Sequence, residues 1–154
     1  MNDLDLLLHQ TRHVYGWLTS AIADVDFAAA RFAMGERPSI AWLAGHMLVN
    51  ADSTASAVAG TTRAIEAHSG CESAADWDAL RDSWSAHSST WLAAFEGLEP
   101  GDLDRAPLVE ILPDFADKLS DRRRFWSGHV FHMGYHLGQL GSLRAELGLG
   151  WWTK

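Results

Sequence analysis

Residues 125–147 read FWSGHVFHMGYHLGQLGSLRAEL, and the spacing of one subset decides how the chain folds. Phe125, His129, His132, His136, Leu140, Leu143 and Leu147 recur every three or four residues, which places them on one stripe of an α-helix. The predicted helix starts near Ser120 or Asp121, either of which can cap its first turn, and ends at Gly148. Three more segments upstream carry the same period. Leu4, Leu7, Leu8, Thr11, Tyr15, Leu18 and Ile22 predict a first helix from about Asn2 or Asp3 to Asp24. Ile40, Leu43, Met47, Ala51, Thr54, Ala55 and Val58 predict a second from Ile40 to Ala59, capped by Ser39 and ended by Gly60. Trp77, Leu80, Trp84, His87, Trp91, Ala94 and Leu98 predict a third, capped by Ser73 or Asp76 and ended at Glu99, Pro100 and Gly101. No alternating strand pattern of useful length appears, and the segment from Thr61 to Cys71 reads equally as helix or loop.

Four amphipathic helices of about 20–25 residues span roughly 30–37 Å each, and the economical way to bury four stripes is an all-α four-helix bundle. The chain of 154 residues suits one domain, 1–154, with a core large enough to need no covalent staple. Residues 99–120 hold three of the four prolines. A connection of that length predicts a crossover between non-neighbouring helix ends, or a functional flap.

Composition narrows the function. Lys and Arg total 12 against 20 Asp and Glu, a net charge of −8, with one short basic cluster at Arg122, Arg123 and Arg124. Such a balance argues against nucleic-acid binding. No apolar run reaches the ~18 residues of a membrane span, and MNDLDLLLHQTRH, with acids ahead of a short apolar stretch, does not read as a secretory signal. With a single cysteine, Cys71, the expected location is the reducing cytoplasm.

Histidine placement carries the chemistry. His132 and His136, four apart on one helix face, can grip one metal ion, whereas a lone core histidine is more often bonded to backbone. A third ligand must come from another helix. His46 in SIAWLAGH follows Gly45, which lets a neighbouring helix approach; a surface histidine is the alternative. His129, one turn before His132, is expected in packing or in support of the ligands. His87 reads as a core or pocket-wall residue, and His9, His13 and His68 as surface or helix-end residues. Trp42 is placed to wall the site. Gly138 reads as a close helix contact, Gln139 as a buried hydrogen bond, Arg144 as an ion pair, and Cys71 as inert. Glutamates with a histidine three residues on, needed for ferritin-like di-iron chemistry, are absent, as is HExxH.

The segment HMGYHLGQLGSLRAELG, residues 132–148, resembles the C-terminal signature of the DinB-like (YfiT-like) metalloenzymes: His, three residues, His, any residue, Gly-Gln, then Leu-Arg and Leu-Gly at the helix end. SIAWLAGH is similar to the second-helix segment that supplies that family's first ligand, and the resemblance follows the whole chain in order and spacing. It implies a metal triad of His46, His132 and His136. It also implies a metal-dependent transferase or hydrolase, with a small-molecule substrate and a low-molecular-weight thiol as partner, and a homodimer. Three imidazoles suit zinc or nickel, and also iron. A second class is a stress-response bundle that binds metal, haem or another ligand without turnover. No carboxylate in the signature helices is an evident general base, so under the enzyme reading a metal-bound nucleophile does most of the work.

Overall fold

A computed structural model describes residues 2–65 and 71–150; His68 and the 66–70 part of the undecided segment lie outside them. Among the described residues the protein is all-helical. Five α-helices run over Asp3–Ala23 (α1), Phe27–Ala30 (α2), Ile40–Ala59 (α3), Ala74–Glu96 (α4) and Arg122–Glu146 (α5), with 3₁₀ turns at Pro100–Asp104 and Pro113–Phe115. The four long helices match the four predicted. The short α2, capped by Asp26, lies within a segment expected to be a plain connection.

The caps explain the boundaries. Asn2, Ser39, Ser73 and Asp121 each accept a hydrogen bond from the backbone N–H three residues on, satisfying donors that the first helical turn leaves free. Gly60 ends α3 at φ 74°, a left-handed conformation that glycine adopts without penalty. Beyond it, Asp52 is fully buried and accepts hydrogen bonds from Arg63 Nε at 2.8 Å and from the N–H groups of Ala64 and Ile65. That buried carboxylate holds 61–65 against α3 as non-helical chain.

Each long helix packs on two others: α1 on α4 and α5, and α3 on α4 and α5. Side-chain pairs give the directions. Arg123 pairs with Asp3, and Arg144 with Asp24, so α1 and α5 run parallel. His46 meets His132 and Asn50 meets His129, so α3 and α5 run antiparallel. Trp84 reaches Thr19 and Arg12 reaches Glu96, so α1 and α4 run antiparallel. It follows that α3 and α4 are parallel. The segment after α4 stays at one end, joining two helices that face each other diagonally. There, the N–H of Leu108 donates to Ala57 O, and the Arg122–Arg124 cluster is neutralised by Asp102, Asp3, Asp104 and Asp121.

The largest side chains of the core are tryptophans. Trp77, Trp84, Trp91 and Trp126 are buried, and three of their indole N–H groups have acceptors: Val25 O, Thr19 Oγ1 and Thr11 Oγ1, each at 2.8 Å. Large apolar area is thereby buried without orphaned donors. The buried face of α5 is wider than the predicted stripe: it includes Trp126, Met133, Leu137 and Arg144, while Phe125 and Leu147 are only half-buried. Among the described residues no helix is long and apolar enough to cross a membrane.

Candidate metal centre

The antiparallel contact of α3 with α5 brings His46 opposite His132 and His136. Candidate ligand atoms of the three imidazoles all lie within 4.8 Å of one another. The Nε2 atoms of His46 and His132 are 2.8 Å apart, and the ring centroids of His132 and His136 are 4.4 Å apart. His136 is buried and the other two are half-buried. Burial pushes His132 down to about 4, with His136 and His46 adding to the effect; burial and His136 likewise lower His46. Both shifts favour the neutral ring, whose lone pair a metal ion can use.

His136 is oriented from behind. Its Nδ1 lies 2.7 Å from Gln139 Oε1, which can only accept, so Nδ1 carries the proton and Nε2 offers a lone pair to the cluster. Gln139 Nε2 donates in turn to the Tyr135 hydroxyl at 3.2 Å. Trp42 stacks on His46 with centroids 4.9 Å apart and planes at 12°, walling the site as expected.

His129 is close in sequence and outside the cluster. It is buried, with Nδ1 2.6 Å from Asn50 Oδ1 and Nε2 3.3 Å from the Tyr15 hydroxyl. The amide oxygen takes the Nδ1 proton, and the phenol donates to Nε2. Both nitrogens are thus engaged by protein, and burial lowers the imidazole to about 3. Burial, with Asp52 adding, pushes the Tyr15 hydroxyl up, so it remains a donor. Sequence reasoning passed over Asn50 and Tyr15; the available signal was Asn50 standing one turn after His46 on the same helix.

Other expectations resolve as follows. His87 is half-buried and stacks on Trp91 at 5.6 Å; His9 and His13 are exposed. Cys71 is half-buried, and burial raises its thiol, which fits an inert side chain. Gly138 does not make the expected close helix contact: it is exposed, and a Cβ there would meet nothing within 4 Å. The cavity beneath the 34–38 segment is lined by Met34, Arg37 and Pro38 and by α3 and α5 residues, Gln139 among them and none of the three histidines, and the 99–120 connection takes no part in it. The connection packs at the far end because α4 ends and α5 begins there.

No protein-family model matches the chain, and no curated protein matches its sequence.

Proposed function

We propose that the protein is a metal-dependent enzyme of the DinB-like kind, a four-helix bundle in which His46, His132 and His136 hold one divalent ion. Support comes from one observation above the others: three imidazoles from two helices converge, and the distal nitrogen of His136 is already occupied by Gln139. The set fits zinc or nickel, and iron also. Among the described residues no fourth histidine, cysteine or carboxylate joins the group, as in catalytic sites that keep one position for a small molecule. A cation bound there supplies Lewis acidity and favours deprotonation of a thiol or water. Gln139 holds the His136 tautomer, Trp42 covers His46, and Tyr15 with Asn50 keeps His129 out of the cluster. Transfer to or from a low-molecular-weight thiol, or hydrolysis, is the chemistry such a site supports, and the cytoplasm is where that thiol is abundant.

Cobalt substitution tests this. Titration of the cobalt protein with a small thiol should produce a saturable sulfur-to-metal charge-transfer band that His136→Ala removes. An unchanged spectrum would exclude thiol ligation. The second reading, a bundle that binds metal or ligand without turnover, draws on the absence of any carboxylate beside the three histidines among the described residues. A homodimer, which the resemblance implies, would draw on exposed apolar side chains such as Phe131, 77 % exposed. A monomeric mass in light scattering would remove it.

A further inference from the structure

A cavity of about 340 Å³ lies where the 34–38 segment crosses α3 and α5, against the outer side of the Tyr135–Gln139–His136 relay. Three of its polar groups, Gln139, Tyr135 and Arg37, share one property, that of presenting donors. Gln139 Oε1 is taken by His136, so the amide presents N–H to its surroundings. Because the Tyr135 oxygen accepts from Gln139 Nε2, the phenol proton is free to point elsewhere. The third group is the Arg37 guanidinium, which has donors only. In this acidic chain eight of the ten arginines pair with a carboxylate; Arg37 and Arg31 have no carboxylate partner among the described residues. Adjacent Glu36 lines a separate depression on the other side of Pro38. Ser142, whose hydroxyl donates to Gly138 O, also lines it, and the rest of the wall is largely apolar, with Met34, Pro38, Leu43 and Leu143.

We propose that this cavity binds a small monocarboxylate with a hydrocarbon body, its carboxylate on Arg37 and Tyr135 and its apolar end against Met34, Pro38 and Leu143. One unpaired cation beside neutral donors matches one negative charge, and the planar guanidinium fork matches a carboxylate. The volume is at the small end of the roughly 300–1,000 Å³ usual for ligand cavities. That the bound acid is the substrate rests on the metal-centre reading; that the cavity binds it does not.

Hexanoate is the probe, with hexanamide and inorganic phosphate as comparisons, each titrated calorimetrically into the full chain. Hexanoate should saturate, whereas hexanamide, which lacks the charge, and phosphate, which lacks the apolar body, should bind at least ~10-fold more weakly. Arg37→Gln, an exposed change that leaves the core intact, should cost hexanoate about 10-fold or more, and Tyr135→Phe roughly 3-fold. His46→Ala should leave hexanoate binding unchanged. Equal binding of hexanoate and hexanamide, equal binding of phosphate, an Arg37→Gln variant that binds as tightly as wild type, or no saturable binding at all would overturn the proposal. Hexanoate discrimination in a protein that takes up no metal would sink the metal centre alone. Full metal with no discrimination would sink this site alone.

Discussion

His136 Nδ1 donates to Gln139 Oε1 across 2.7 Å, one turn further along α5, so a side chain outside the cluster sets which nitrogen of His136 faces His46 and His132. Partners of this kind fix ring orientation and raise ligand basicity, and their loss typically weakens metal affinity by about 10–100-fold. Gln139→Leu should therefore keep the helical content and weaken zinc binding by that factor, read by competition against a chromophoric chelator. Gln139→Glu, which retains an acceptor, should restore most of the affinity. Unchanged zinc affinity in Gln139→Leu would mean that His136 is not a ligand.

Metal stoichiometry gives a coarser check. Elemental analysis of the purified protein should find one tightly held divalent ion per chain, none in His132→Ala, and a full equivalent in His87→Ala. One precaution follows from α1, where the exposed His9 and His13 face each other with Nε2 atoms 3.1 Å apart and could take up a loosely held ion. A His9→Asn background removes that contribution. A full equivalent in His132→Ala on this background would refute the triad.

The periodicity of all four long helices was legible because each buries a stripe against neighbours, and the caps at Ser39 and Ser73 were legible because their hydroxyls have a local task. The meeting of His46 with His132 and His136 was legible only through spacing and the family resemblance. What escaped depends on distance in sequence. Helix α5 packs on both α1 and α3, so its buried face is two stripes wide, and a search for one stripe passes over Trp126, Met133 and Leu137. The diagonal link from α4 to α5 and the parallel run of α3 and α4 depend on which helices become neighbours, which no local pattern encodes. Gly138 misled for the opposite reason: a helical glycine is compatible with close packing and does not require it.

Arg144 was legible as an ion-pair partner, but its burial was not, because its carboxylate lies 120 residues upstream. The guanidinium is buried, holds Asp24 through 2.5 and 2.9 Å contacts, and donates to Ala21 O. The hydrogen bond from Arg144 holds Asp24 below the usual carboxylate range, with the nearby charge adding and partial burial opposing. A lowered folded-state value means that ionised Asp24 stabilises the fold above about pH 3.9, the unfolded value, and that this contribution is lost as pH falls through the lower folded value. The Asp24 side chain is 55 % exposed, so solvent screening limits the contribution to about 1 kcal/mol. Asp24→Asn should thus unfold more readily than wild type in urea at pH 7, with the difference vanishing once the pH lies below the lowered folded-state value. A difference that persists there would point to packing instead of charge.

The last prediction separates support from ligation. His129 sits one turn before His132, and a metal centre that recruited it would be closed by four protein ligands, with no position left for a small molecule. In the structure its two nitrogens are satisfied by Asn50 and the Tyr15 hydroxyl, deep between α1, α3 and α5. Replacing His129 with Leu removes both hydrogen bonds and strands a buried phenol and a half-buried amide, at a cost of about 1–3 kcal/mol in unfolding free energy. The shape of the site is roughly kept, so the variant should fold at 25 °C and still bind one metal ion per chain, with its loss visible only in the denaturant midpoint. Pairing it with Tyr15→Phe provides an internal control. If the phenol and the imidazole act through each other, the double variant should be less destabilised than the sum of the singles. Loss of metal from a folded His129→Leu protein would instead make His129 a ligand and the centre a closed one.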